Sequence, residues 1–61
     1  MKKLKELRIK KNMSQKEMGE IIGVNYRAIG NYERGDRTLS VDKAKKLGEY
    51  FKFYWWELYE D

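Results

Sequence analysis

The sequence lacks cysteine, histidine and proline, and these absences narrow what its 61 residues can form. Without cysteine no disulfide is possible, and without cysteine or histidine the preferred zinc ligands are missing. A chain of this length buries only about 60% of the surface that its unfolded form exposes, so a small apolar core must supply the stability. With no histidine, cysteine or glycine-rich phosphate loop, we expect no enzyme, no metal and no cofactor.

Long apolar runs are also absent. The basic start Met1-Lys2-Lys3 is not followed by the apolar run of about 7–15 residues that marks a signal peptide. Nothing approaches the roughly 18 apolar residues of a membrane span. Residues 50–59 are aromatic enough for an interfacial helix, but they carry only Lys52 against Glu57 and are flanked by Glu49, Glu60 and Asp61. An interfacial helix usually has a basic polar face instead. We therefore expect one cytoplasmic domain over residues 1–61, without a membrane partner.

Charge is distributed unevenly along the chain. Fourteen lysines and arginines against ten aspartates and glutamates give a net charge of +4. Residues 1–11 hold six basic residues and one acidic residue, whereas residues 49–61 hold four acidic residues and one basic residue. This polarity suits a domain that presents one end to phosphates. Charge alone is weak support for phosphate binding, because a lysine-rich helix more often simply faces solvent.

Hydrophobic periodicity predicts an all-α domain. Apolar residues recur at helical spacing in five segments and no segment alternates like a strand. In the fourth segment Val41, Ala44, Leu47 and Phe51 are expected to face inward. A polar loop is expected between Gly35 and Ser40. The predicted helices cover residues 2–11, 15–22, 26–34, 41–51 and 55–59.

The second helix has strong start and stop signals. Ser14 and Glu17 form a capping box, with Met13 and Met18 at the two staple positions. Gly23 ends the helix, because glycine accepts the left-handed conformation past the last turn. Ser40 and Asn25 are the candidate N-caps of later helices.

Residues 15–34 form the segment with most functional information. Two helices of about eight residues are joined by a turn too short for an antiparallel pair, so they must cross steeply. Gly19 permits the close crossing, and Gly23 supplies the turn. The second of these helices keeps one face free, and an α-helix has the right width for the DNA major groove.

The run SQKEMGEIIGVNYRAIGNYERG at residues 14–35 closely resembles the helix-turn-helix of the phage repressor and Cro family, also called the xenobiotic-response-element type. The likeness extends over nearly the whole chain, through residues Leu4, Leu7, Arg8 and Ile9 and residues Leu47, Phe51, Phe53, Trp55 and Leu58. The resemblance implies a five-helix lambda-repressor-like DNA-binding domain.

The resemblance also implies roles for individual residues. Base reading falls to Tyr26, Arg27 and Asn31, with Arg27 suited to guanine and Asn31 to adenine. Arg8 and Glu33 match a partly buried ion pair. Phosphate contacts fall to Gln15, Asn25, Arg34, Arg37 and Thr38.

Four positions depart from the family pattern. Gly19 replaces a commoner alanine, Lys52 a frequent glycine, and Tyr54 a frequent serine or aspartate cap, so the last helix should be poorly capped. Gly30 lies in the middle of the recognition helix and costs about 1 kcal/mol relative to alanine. It either allows a close approach to the groove floor or is a tolerated weak position.

Aromatic residues after position 49 exceed what the core needs. Stacking on single-stranded bases is one interpretation, but the acidic surroundings favour a core and self-association role. We expect a dimer interface at Trp56 and Tyr59, with Tyr54 as a substitute for Tyr59. The alternative is a chain that stays monomeric until DNA brings two copies together.

These observations predict a sequence-specific double-stranded DNA-binding protein. We expect a transcriptional regulator, most readily a repressor, that binds a palindromic operator as a homodimer. Because no effector segment follows the last helix, a minimal regulator without a small-molecule ligand is expected. The alternatives are a protein-interaction module on the same fold, a restriction-system controller and an antitoxin-type regulator.

Overall fold

The computed structural model describes residues 1–60, which form four α-helices and a terminal 3-10 helix with no strand among them. The all-helical prediction is confirmed, and each α-helix lies within one residue of its predicted bounds. The elements are α1 (Lys2–Lys10), α2 (Gln15–Ile22), α3 (Tyr26–Arg34), α4 (Val41–Phe51) and the 3-10 helix Trp55–Tyr59.

The predicted fifth α-helix is not found, since residues Trp55–Tyr59 form a 3-10 helix. The segment has only five residues, and the side chain of Tyr54 makes no capping hydrogen bond at its start. A segment this short gains too few α-type hydrogen bonds to offset the entropy of ordering it. The count of α-helices is therefore four.

One apolar core holds the helices together. Each α-helix and the 3-10 helix contributes at least one buried residue. Among residues 1–60, no buried side-chain nitrogen or oxygen lacks a hydrogen-bond partner. The core consists of Leu4, Met18, Ile22, Ile29, Tyr32, Leu39, Ala44, Leu47 and Leu58.

The entry into α4 differs from the prediction. Val41 was expected to face inward but is 46% exposed. Leu39, expected in a polar loop, is fully buried in its place. The loop is held against the C-terminal segment by the hydroxyl of Tyr59, which donates to the carbonyl of Leu39 at 2.5 Å.

Side-chain caps begin three of the four α-helices. The hydroxyl of Ser14 accepts from the Glu17 amide at 3.0 Å, and the Glu17 carboxylate accepts from the Ser14 amide at 2.8 Å. These bonds complete the predicted capping box, and they hold the pKa of Glu17 below its usual value. The side chains of Asn25 and Ser40 cap α3 and α4 in the same way.

The crossing of α2 and α3 depends on backbone contact. A Cβ at Gly19 would clash with the carbonyl oxygen of Val24, so only glycine fits without a shift. Gly23 ends α2 with a left-handed φ of 75°. Lys52 ends α4 with a φ of 61°, a conformation that is unfavourable for a residue with a Cβ.

Residues 1–60 contain neither a membrane-spanning helix nor a metal-binding cluster. No helix there combines the length and apolar character needed to cross a membrane. No group of three or more acidic, histidine or cysteine residues is placed to hold a metal ion.

Two glycine-to-alanine substitutions should have opposite effects on stability. Gly19→Ala should lower the free energy of unfolding by about 1–3 kcal/mol, because the helix crossing must open. A Cβ at Gly30 meets only the ends of two flexible side chains, Arg34 Nη1 at 3.1 Å and Gln15 Nε2 at 3.5 Å. Gly30→Ala should therefore raise the free energy of unfolding by up to about 1 kcal/mol through helix propensity. Urea unfolding followed by circular dichroism tests both. Equal losses at the two positions would contradict this account of the crossing.

Candidate nucleic-acid interface

Helix α3 has one buried face and one outward face. Ile29 and Tyr32 lie in the core, which fixes the rotation of the helix about its axis. The opposite face carries what we call the outer stripe, at positions one turn apart. It consists of Tyr26, Arg27, Gly30, Asn31 and Arg34.

The first turn of the outer stripe is open to solvent. Tyr26 is 52% exposed, and Arg27 is also exposed. The guanidinium of Arg27 lies 5.9 Å from the centroid of the Tyr26 ring. The two residues predicted to begin base reading therefore lie side by side, and the guanidinium remains accessible to a ligand.

The second half of the outer stripe is linked by hydrogen bonds. Arg34 Nη2 donates to Asn31 Oδ1 at 2.6 Å, and Arg34 Nε donates to Asp36 Oδ2 at 3.0 Å. The Asp36 amide in turn donates to the Asn31 carbonyl at 2.9 Å. Asp36 was not identified from the sequence, because its role depends on the backbone path after Gly35 and on the rotamer of Arg34.

Gly30 lies at the centre of the outer stripe and is covered by two side chains. Arg34 Nη1 and Gln15 Nε2 lie 3.1 and 3.5 Å from the position that a Cβ would occupy. The space left by the missing Cβ of Gly30 is thus occupied by side chains of the same chain. The residue is buried although it lies on the outward face.

Behind the outer stripe, three helices meet at the carboxylate of Glu33. Arg8 Nε donates to Glu33 Oε2 at 2.6 Å and Arg8 Nη2 donates to Oε1 at 3.3 Å. Gln15 Nε2 donates to the same Oε1 at 3.2 Å, and Arg8 Nη1 also donates to the Met13 carbonyl at 3.0 Å. The side chains of Arg8 and Glu33 are only 16% and 5% exposed. We call this cluster the Glu33 network.

The Glu33 network opens onto a basic hollow of about 300 Å³ between α1, α2 and α3. Lys5 lines it together with Arg34 and was not singled out from the sequence. Its spacing of three residues before Arg8 places both on one face of α1.

The predicted phosphate-contacting residues border the same surface. Asn25 uses its Oδ1 to cap α3 by accepting from the Ala28 amide at 3.0 Å. Arg37 and Thr38 are exposed in the loop that follows α3. Gln15 and Arg34 differ from these three, because both already bond to side chains of α3 or its flanking loop.

The predicted dimer residues Trp56 and Tyr59 make different contacts, although both are exposed and both lie beside Trp55. Trp56 is 49% exposed and stacks on Tyr54, which is 65% exposed, with ring centroids 4.9 Å apart. Tyr59 instead meets the edge of Trp55 at 6.2 Å and bonds to Leu39. Burial raises the pKa of the Tyr59 hydroxyl. Tyr54 and Trp56 are therefore a stacked exposed pair, and Tyr59 is less exposed, at 37%.

Two short helices that cross at a glycine, with an outward polar stripe on the second, define a helix-turn-helix unit at residues 15–34. A family model described as helix-turn-helix matches residues 4–54. The chain belongs to this family, which is of the Cro/CI type. No solved structure matches the chain significantly.

Similar proteins carry names that agree with this family. Proteins named "Putative HTH-type transcriptional regulatory protein" occur in Thermococcus kodakarensis, at 42% identity over 48 residues, and in Pyrococcus furiosus, at 39% over 49 residues. Another in Sulfolobus acidocaldarius is 42% identical over 50 residues. These matches cover 79–82% of this chain but only 15–16% of each relative. The chain thus corresponds to a small part of those longer proteins.

The Glu33 network predicts a strong coupling between Arg8 and Glu33. Removing one partner should lower the free energy of unfolding by about 3–5 kcal/mol, because the other charge stays buried without compensation. A double-mutant cycle with Arg8→Met and Glu33→Gln measures the coupling. The control is the exposed pair Arg34 and Asp36, for which less than about 1 kcal/mol is expected. A coupling near zero at Arg8 and Glu33 would disprove the structural role of the pair.

Proposed function

We propose that the chain is a sequence-specific double-stranded DNA-binding domain of a transcriptional regulator, and that it acts as a repressor. The outer stripe of α3 is the observation that carries the proposal. An α-helix fits the major groove, where each base pair presents a distinct pattern of donors and acceptors. The proposal also includes a cytoplasmic location and a single domain over residues 1–61. It does not include a catalytic activity.

Base reading is proposed to begin at the start of α3. Arg27 has an exposed guanidinium whose paired donors match the O6 and N7 acceptors of guanine. Tyr26 lies beside it and supports its orientation through the ring contact. Asn31 lies one turn further along the outer stripe and is half-buried, which restricts the positions its amide can take.

The flanking positions are proposed to hold the phosphate backbone. Gln15 begins α2, where backbone amides favour an anion. Arg37 and Thr38 extend from the loop after α3, and Asn25 precedes α3 with its side chain exposed. Such contacts set the register of a protein on the duplex and carry no sequence information.

A homodimer on a palindromic operator is part of the proposal. One recognition helix contacts only a few base pairs, which is too little to single out one site in a genome. Two copies related by a two-fold axis would place their α3 helices about 34 Å apart, in successive major grooves. The exposed Tyr54 and Trp56 pair supports an interface at this end of the chain, because exposed neighbouring aromatics are favoured at interface centres.

Substitution of Arg27 and Arg37 should separate base reading from phosphate contact. Arg27→Ala should weaken binding to the preferred duplex by about 1–3 kcal/mol and relax preference at one base pair. Arg37→Ala should weaken binding to all sequences alike. It should also reduce the slope of log binding constant against log salt concentration by about the amount that one phosphate contact contributes. Binding isotherms on specific and random duplexes at several salt concentrations provide the measurement. If both variants lost specific and random binding equally, Arg27 would not be a base-reading residue.

Self-association should depend on Trp56. Sedimentation at micromolar concentration should give a dimer for the wild type and a weakened dimer for Trp56→Ala, because the stacked aromatic surface is lost. The control is Tyr26→Ala, which removes an exposed aromatic from α3 and should leave the sedimenting species a dimer. A monomeric wild type, or a Trp56→Ala dimer of full strength, would refute this interface.

A further inference from the structure

Arg34, Asn31 and Asp36 form a closed ring of hydrogen bonds at the end of the outer stripe. The guanidinium joins the side-chain oxygens of the other two residues, and the Asp36 amide returns to the Asn31 carbonyl. Gly35, with a φ of 84°, provides the left-handed residue that this backbone path requires. The position of Asp36 is thus set by the backbone, and its carboxylate accepts from Arg34 Nε beside the end of the helix.

The partner of Asn31 determines which way its amide faces. An arginine side chain has donors and no acceptor. The group of Asn31 that bonds to Arg34 must therefore be the oxygen Oδ1, at 2.6 Å from Nη2. The amide nitrogen Nδ2 then points away from Arg34, and its two N–H groups remain available on the outward side.

Gly30 leaves room for this arrangement. Arg34 Nη1 lies 3.1 Å from where a Cβ would be at position 30, so a side chain there would require the guanidinium to shift by a few tenths of an ångström. Asp36 also compensates the charge of Arg34, which makes this arginine less suited than Arg37 to a phosphate contact. Both features favour a role for Arg34 within the outer stripe.

We propose that Arg34 is a specificity-determining residue that acts together with Asn31, and that the pair selects guanine. This inference rests on the proposed function of α3 in the major groove. A free asparagine matches adenine, whose N6 amino group donates to Oδ1 and whose N7 accepts from Nδ2. When Arg34 holds Oδ1, the pair presents donors, and guanine offers two acceptors, O6 and N7. We thus propose guanine in place of adenine for Asn31, and a base contact in place of a phosphate contact for Arg34.

Selection of bound duplexes from a random library tests the inference. The base pair in question is the one at which preference is lost in Asn31→Ala. There the wild type should favour guanine over adenine by about tenfold, and Arg34→Ala should reverse this preference by freeing Oδ1. Arg34→Lys keeps the charge but not the planar fork, so it should also lose the guanine preference. Arg37→Ala is the matched control and should keep that preference while binding less tightly.

Each outcome of the selection has a definite meaning. A wild-type preference for adenine, or an unchanged guanine-to-adenine ratio in Arg34→Ala, would overturn the inference and leave the proposed function standing. A guanine preference retained by Arg34→Lys would also overturn it, since a charge alone would then suffice. If the wild type enriched no sequence, the proposed function would fail and the inference with it.

The free protein offers a second readout that needs no DNA. The side-chain amide signals of Asn31 in a nitrogen-proton correlation spectrum should shift in Arg34→Ala and in Asp36→Asn. They should be unchanged in Arg37→Ala, because the side chain of Arg37 forms no hydrogen bond with that amide. The substitution keeps the Arg37 backbone amide, which donates to the Asn31 carbonyl at 3.4 Å. Equal spectra for wild type and Arg34→Ala would overturn the positioning of Asn31 by Arg34.

Discussion

The ion pair between Arg8 and Glu33 is the constraint on which the rest of the structure depends. It joins α1 to the last turn of α3, and Gln15 adds the start of α2 to the same carboxylate. Because the sequence contains no cysteine and no histidine, no disulfide or cysteine–histidine zinc site can join these helices. Both charges are largely removed from water, and each is met by further hydrogen bonds, as a buried pair requires.

This constraint decides what α3 presents to a partner. The buried Ile29 and Tyr32 set the rotation of the helix, and the absence of a Cβ at Gly19 sets its distance from α2. Glu33 adds a polar contact whose geometry tolerates little sliding along the axis, because hydrogen bonds weaken steeply when distance and angle change. Three independent contacts therefore fix the outer stripe in space. A helix of nine residues would be marginal in water without them.

Local chemistry made most of the fold predictable, and long-range packing limited the rest. Caps such as Ser14 and Asn25 act over three residues, so the helix starts followed directly from the sequence. Leu39 and Val41 exchanged their expected environments because Leu39 packs into a core built from distant parts of the chain. The Tyr59 hydroxyl, twenty residues away, also bonds to the Leu39 carbonyl. In the candidate site, the positions of the outer stripe followed from helical spacing. The bonds among Arg34, Asn31 and Asp36 did not, since they depend on rotamers that no sequence pattern specifies.

The two polar clusters on either side of Gly30 differ in how far water reaches them, and this difference sets how much each can contribute to stability. The side chains of Arg8 and Glu33 are 16% and 5% exposed, whereas those of Arg34 and Asp36 are 62% and 60% exposed. Water and salt screen the outer pair, so its contribution to the free energy of unfolding is small. Its bonds are still sufficient to favour one orientation of a neighbouring amide over another. Removing one partner of the inner cluster should therefore destabilise the fold, whereas the outer cluster can change with little effect on stability.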